Sequence, residues 1–405
     1  MNFIKMKKIK ITILVFCFLL LQLGCTESFD IESIDYESVL VVESTITNEM
    51  KQQVVKLSRT TPLDEQDVVF EENAQVVVET SNGEIYGFFQ DAQTGDYISN
   101  LQFQAEANVT YTLKIDTQDG KRYTSSSVSL PAAVAIDQLY AEQATENGGV
   151  GVNVLVDTFD ETGNAKYFRY EFEETYRVVA PYPSRYNVEI TNYNVQSGTY
   201  DINLTNRQPE EICYSTEYST GIIQTSTNEL SEDRVFRFPV QFISKENPVI
   251  QSRYSILVKQ YVQSLEAYTF YKTIKELGSV ESLLSQGQPG YVAGNMKSEV
   301  DPDEKVLGYF EASSITSKRI YFNYEDFGFN KPPYFIECEN LILDYLDATV
   351  MDYDPNEREA FYTYITYFDY QVYAHIPDTI YYIVQSECSV CTSFSSNVKP
   401  DFWED

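Results

Sequence analysis

Histidine is almost absent from this sequence, with one in 405 residues, His375. Any Ser-His-Asp or Cys-His nucleophilic arrangement would have to be built on that residue. It lies in YAHIP, among aromatic and apolar neighbours, which suits a packed or solvent-facing side chain better than a proton-transfer group. The glycine-rich dinucleotide and phosphate loops, the GxSxG elbow and the HExxH helix are also missing. Nothing in the chain therefore points to an enzyme, and no cofactor is indicated. Positive charge is scarce as well: 29 Lys and Arg stand against 61 Asp and Glu, for a net charge of −32. A chain this acidic is not expected to bind nucleic acid or an anionic membrane surface through its general charge. After residue 23 no apolar run approaches the length of a membrane-spanning helix.

The N-terminus is expected to be an address. Four lysines (Lys5, Lys7, Lys8 and Lys10) precede the apolar stretch ITILVFCFLLLQL, which together make the basic and apolar regions of a secretory signal. The stretch ends in QLGC, with Gly24 before Cys25, and this resembles a bacterial lipobox in which Cys25 carries the lipid. Gln22 stands where a branched apolar residue is usual. On this reading residues 1–24 are the lipoprotein signal peptide and 25–37 an acidic tether. The protein is held at a membrane only through its N-terminal lipid. An ordinary cleaved signal or an uncleaved anchor is the competing reading. Glu27, soon after the cysteine, is similar to export signals that send lipoproteins to the cell surface.

With 43% hydrophobic and 14% aromatic residues, among them 33 tyrosines, the chain can bury sizeable cores. Residues 38–131 read as short Val-, Thr- and Tyr-rich strands, with the turn dipeptides Asn82-Gly83 and Asp119-Gly120 between pairs of them. Even spacing without helices predicts an immunoglobulin-like β-sandwich. Residues 132–405 predict a second sandwich, of fibronectin III type, with a polar loop or hairpin insertion at about 181–233 and a helical insertion at about 264–304. The segments VLGYFEASS and SKRIYFNYE are expected as two further strands. Residues 340–373 fit helix and strand alike. The fold is expected to be mainly β.

The helix is the clearest single element. Ser264 is a good N-cap, Glu266 sits in the first turn, and Gly278 stops the run. Ala267, Phe270, Tyr271, Ile274 and Leu277 recur at three- and four-residue steps and share one face. Tyr268 lies off that face. It is expected either as an ordinary surface tyrosine or, with Tyr271 and Tyr291, at a face that meets a partner.

Cys213, Cys338, Cys388 and Cys391 remain after Cys17 leaves with the signal and Cys25 takes the lipid. An even number in an exported chain predicts two disulfides with three alternative pairings. The expectation is that Cys388 and Cys391 pair outward to Cys213 and Cys338, tying the tail to the body. A zinc site of four cysteines is the competing reading. A redox role for Cys388-Ser-Val-Cys391 would need a thioredoxin-like unit that the sequence does not show. Asp352-Tyr-Asp354-Pro-Asn356 echoes a calcium loop but lacks its sixth-position glycine and twelfth-position glutamate. A solvated turn fits it better, and no metal site is expected. Asp301-Pro-Asp303-Glu304 reads as a turn.

Taken together, CTESFDIES, LVVESTITNEMKQQVVKLSRT, RYSILVKQY with its SLEAYTFYKTIKEL helix, GNMKSEVDPDEKVLGYFEASSITSKRIYF and the C-terminal NVKPDFW resemble a family of Bacteroidota outer-membrane lipoproteins known as domain of unknown function 4249. The resemblance covers nearly the whole chain beyond Cys25. It implies an outer-membrane lipoprotein, commonly encoded beside a TonB-dependent receptor and accessory to it. With the Glu27 signal, the expectation is a surface-exposed binding protein that assists nutrient or cofactor uptake. The resemblance supplies no catalytic residues. A surface scaffold or adhesin is the alternative.

Overall fold

The structure, a computed structural model, describes residues 38–62, 67–278, 291–344, 355–377 and 379–405. Cys25, the leader, the tether and the Asp352–Asp354 turn lie outside them. The fold is mainly β, as the strand spacing predicts. Fifteen of its strands belong to one hydrogen-bonded sheet, twelve of them along one continuous path and three paired to it from the side.

The first sandwich holds the expected strands, including Leu40–Thr47, Val54–Arg59, Gln75–Thr80, Ile85–Gln90, Thr110–Asp116 and Arg122–Ser125. Alternation places Leu40, Val42 and Ile46 of the first strand in the core, with Leu113 and Ile115 among the residues opposite. Gly83 and Gly120 take positive φ, 89° and 85°, as tight hairpin turns require.

The second sandwich has three strands on four. Gln138–Glu146, Gly149–Phe159 and Arg234–Ser244 form one sheet. Ile212–Tyr218, Tyr167–Val179, Tyr254–Val262 and Val306–Phe322 follow one another in the other. This is the strand order of fibronectin III domains. Val152, Val154 and Val156 from the first sheet meet Phe168, Tyr170, Ile256 and Val258 from the second. The connector from Pro131 to Asp137 is fastened down: the Val134 carbonyl accepts from Gln260 Nε2 at 3.0 Å and from Thr316 Oγ1 at 2.8 Å.

Three features depart from the expected boundaries. VLGYFEASS and SKRIYFNYE form one 17-residue strand, Val306–Phe322. Its first half pairs in parallel with Leu40–Thr47, and its second half pairs antiparallel with Tyr254–Val262. The polar run Ser313-Ser-Ile-Thr reads as a break in sequence, yet Ser313 and Ser314 are buried where the strand passes from one sandwich to the other. The segment expected as a helical insertion within the second sandwich therefore crosses to the first. Met296–Ser298 adds to the edge strand Arg122–Ser125, and Met296, Val306, Phe310 and Ala312 complete the first core. Leu40–Thr47 would otherwise present an unpaired edge.

Of the expected 181–233 insertion only the hairpin Tyr186–Asn194 with Thr199–Asn206 stands apart, because Ile212–Tyr218 and Ile223–Ser226 pair with Tyr167–Val179 in the sandwich sheet. The hairpin packs with the helix Pro355–Tyr367 and the small sheet of Leu341–Asp344, Tyr370–Ile376 and Ile380–Gln385 around Tyr200, Phe361, Val372 and Ile383. This tyrosine-rich third module explains why 340–373 reads ambiguously, since it is helical in one part and strand in another. His375 is packed within it, edge-on to Tyr186 at a ring separation of 4.9 Å.

Cys213–Cys391 and Cys338–Cys388 are disulfides, with Cα separations of 5.8 Å each. The two C-terminal cysteines pair outward, and the cysteines are thereby unavailable for a four-cysteine zinc site. Cys338–Cys388 closes the neck of the third module's C-terminal part. Cys213–Cys391 fixes the tail to the second sandwich, where Trp403 packs edge-on to Tyr214 and Tyr321.

Candidate binding groove at the sandwich junction

The helix Leu265–Leu277, here α1, follows directly from Tyr254–Val262. The Ser264 hydroxyl accepts the Ala267 N–H at 3.2 Å, as the cap predicts. α1 lands on the outer faces of Tyr167–Val179 and the long strand. Ala267 is buried, and Phe270 and Tyr271 pack on Tyr309 with ring centroids 5.0 and 6.5 Å away. Beside this contact lies an open cavity of about 610 Å³. Val41, Leu307 and Gly308 contribute from the sheet, and Phe270, Tyr271 and Ile274 from α1. Its charged side chains are Glu43, Lys56, Arg169 and Glu171.

Arg169 organises one wall. Its side chain points away from the second core, because Phe168 and Tyr170 take the inward positions on either side. α1 covers it, leaving it 8% exposed. Nη2 donates to Glu311 Oε1 at 2.9 Å, and Nη1 donates to Glu171 Oε1. The guanidinium sits over the rings of Tyr261 and Tyr271, 4.3 and 5.0 Å from their centroids. Glu311, 2% exposed, also accepts from Thr45 Oγ1 at 2.9 Å and from Gln263 Nε2 at 3.0 Å. Tyr261 donates to Glu171 Oε2 at 2.8 Å. Both buried charges are thus paired and hydrogen-bonded, the condition under which they are tolerated. Burial acts to lower the Arg169 pKa, but the Glu311 charge first, with Tyr271 and the Glu171 charge, outweighs it and holds the guanidinium above its ordinary value. Burial, then the Glu311 charge, raises the Tyr271 hydroxyl. Burial, with Glu266 and Glu311, pushes Tyr309 up to about 12. Both phenols are neutral donors at physiological pH.

The backbone under the groove approaches very closely. Gly308 has φ +92°, and a Cβ there would meet the Val42 carbonyl oxygen at 1.9 Å. A Cβ on Gly294 would meet the Gly308 carbonyl oxygen at 1.6 Å. Only glycine fits these positions.

Of the three tyrosines predicted to mark a partner face, Tyr271 lines the groove. Tyr291 is near it: its hydroxyl donates to the Val306 carbonyl at 2.7 Å and accepts from the Val306 N–H at 3.2 Å. Tyr268 is elsewhere, half-buried against Tyr167 with ring centroids 5.0 Å apart. Sequence reasoning missed Arg169, Glu311, Thr45 and Gln263. Arg169 alternates with Glu171 and Glu173 on one side of its strand, which reads as a wet face. The available signal was α1 itself, since an amphipathic helix must cover some surface. Asp301–Glu304 is a turn, with the Asp303 N–H donating to Asp301 Oδ1 at 3.0 Å. Glu304 pins it to the first sandwich by accepting from Lys121 Nζ at 2.7 Å and the Tyr123 hydroxyl at 2.9 Å. Among the described residues no three His, Cys, Asp or Glu side chains converge as a metal-ligand set.

The profile of the family described as Domain of unknown function (DUF4249) matches residues 26–319, well over half of the chain. The chain belongs to this family. The DUF4249 match takes in both sandwiches, α1 and the groove, and stops within the long strand. No curated protein matches the chain. One solved structure that aligns with it is described as the complete structure of manganese lipoxygenase of Gaeumannomyces graminis and partial structure of zonadhesin of Komagataella pastoris. The alignment has 13% identity over 56% of this chain and 90% of that one, with a TM-score of 0.15. At that score the likeness carries no argument.

Proposed function

We propose that this DUF4249 protein is a lipid-anchored binding protein on the outer membrane, held through Cys25, that partners a TonB-dependent receptor and assists uptake of a nutrient or cofactor. The lipobox-like QLGC supports the anchor, and the resemblance of the sequence to receptor-associated lipoproteins supports the partner. The observation that carries the binding role is the groove under α1. It is a concave site with an aromatic side and a few placed polar groups, the usual build of a small-molecule site. The carboxylates of Glu171 and Glu311 are each engaged by donors, which suits holding a ligand rather than exchanging protons.

Purification of the tagged chain from its native membrane in mild detergent tests the partnership. The expected result is a stoichiometric receptor in the eluate. A chain that elutes alone, from cells whose deletion mutant keeps normal uptake but attaches poorly to surfaces, is instead a scaffold.

A further inference from the structure

The groove carries information about the charge of what it holds. Its charged lining balances, with Lys56 and Arg169 against Glu43 and Glu171. Glu43 and Lys56 are direct cross-strand partners at its rim, and Arg169 and Glu171 are paired on its wall. A ligand carboxylate or phosphate would meet the Glu43 and Glu171 charges within a protein of net charge −32. A ligand ammonium would meet Lys56 and Arg169 at close range. A hydroxyl avoids both penalties, because it donates to a carboxylate and accepts from an ammonium or guanidinium at once. Beside these groups Phe270, Tyr271 and Tyr309 form an aromatic cluster. Ring faces of this kind pack against the apolar C–H face of a ring compound. The volume, about 610 Å³, falls in the range of roughly 300–1,000 Å³ typical of small-molecule sites.

We infer that the groove between α1 and the sandwich junction binds an uncharged, hydroxyl-rich ring compound, a short neutral oligosaccharide. Hydroxyls engage Glu43 and Lys56 at the rim, and one sugar ring lies against the aromatic side. The inference rests on reading the protein as a binding protein, but not on its having a receptor partner. The full chain can bind sugar and still elute alone, or hold a receptor and bind none of these sugars.

The test is calorimetric titration of the full chain with maltotriose, cellotriose, xylotriose and tri-N-acetylchitotriose. Trigalacturonate and the free-amine chitosan trimer serve as charged counterparts. The expected result is saturable binding of at least one neutral trisaccharide, with both charged compounds about tenfold weaker or more. Glu43→Gln and Lys56→Gln, at exposed rim positions, should each weaken binding by about tenfold through loss of a charge-assisted hydrogen bond. Ile274→Trp places a large ring in the groove from a position that is 37% exposed. It should abolish binding while leaving the thermal unfolding transition in place. Binding of a charged trimer as tightly as the neutral ones overturns the inference. So does failure of all four neutral sugars, or neutral-sugar binding that Ile274→Trp leaves intact.

Discussion

Arg169 and Glu311 meet where the two sandwiches join, with Nη2 2.9 Å from Oε1 and both side chains nine-tenths or more buried. The arginine comes from the third strand of the second sandwich. The glutamate comes from the long strand, three residues before that strand leaves Leu40–Thr47. The pair therefore sits under α1 at the point where one strand belongs to both bodies. This gives the groove a fixed geometry: the shared strand holds the two sandwiches, and the ion pair holds the helix over them.

Removing one partner leaves the other charge buried. Glu311→Ala should destabilise the chain by about 3–5 kcal/mol. Replacing the pair together, as Arg169→Met with Glu311→Leu, should recover most of that loss, because an apolar pair of similar size avoids the desolvation penalty. Calorimetric unfolding of the two variants beside the parent checks both expectations. A double variant as unstable as the single one would mean that the pair itself supplies the stability.

The parallel pairing of the long strand with Leu40–Thr47 depends on Gly308, which lies opposite Val42. Gly308→Ala adds a Cβ at φ +92° and directly against the Val42 carbonyl. The backbone conformation alone costs about 1–3 kcal/mol, and the overlap must also be relieved by parting the strands. The expected outcome is lower stability together with new protease cleavage between residues 291 and 313. Gly198→Ala also places alanine at a positive φ, +65°, but meets nothing within 4 Å. It should be milder and should leave the junction uncut.

The strands, their turns and the capped helix were legible because each rests on local chemistry: alternation, Asn-Gly and Asp-Gly turns, and Ser264 with Gly278. The outward pairing of Cys388 and Cys391, to partners 50 and 178 residues away, was legible instead from the even cysteine count and their close spacing. The long strand was not. Its buried Ser313 and Ser314 look like a break, and its parallel partner lies about 270 residues away, beyond any periodic signal. The groove was half legible. Tyr271 is there because it shares the apolar face of α1. Arg169 and Glu311 are charged residues on outward strand positions, and they become buried only because α1 folds back over them. Tyr268 went to a neighbouring ring because it lies one position off that face.

Glu174 gives a pH signature in the second sandwich. It is 8% exposed, and burial raises its carboxyl above the ordinary 4.5, with the Glu217 charge adding to the effect and hydrogen bonds from Tyr254 and Gln241 opposing it. A carboxyl whose folded pKa is raised binds its proton more tightly when folded. Its contribution is therefore favourable below the unfolded value and is lost as pH rises through the folded one. Glu174→Gln removes that loss. Its melting temperature should exceed the parent's at neutral pH. The difference should shrink as the pH is lowered towards 4. A difference that grows on acidification would contradict the assignment.

Cys338–Cys388 spans 50 residues and closes the neck of the third module. Replacing both cysteines with serine should remove about 4 kcal/mol of loop-closure stabilisation. The effect should be local. Hydrogen exchange should quicken in Leu341–Asp344 and Tyr370–Ile376 while Gly149–Phe159 and Tyr254–Val262 stay protected.

The central claim is that the protein binds through the groove beneath α1. Hydrogen–deuterium exchange of the full chain, with and without a saturating neutral trisaccharide, tests this most directly. The account predicts new protection in Leu265–Leu277, the first half of Val306–Phe322 and the rim strands Leu40–Thr47 and Val54–Arg59, absent in Ile274→Trp. Protection centred instead on the tyrosine-rich hairpin Tyr186–Asn206 and helix Pro355–Tyr367, with α1 unchanged, would contradict it.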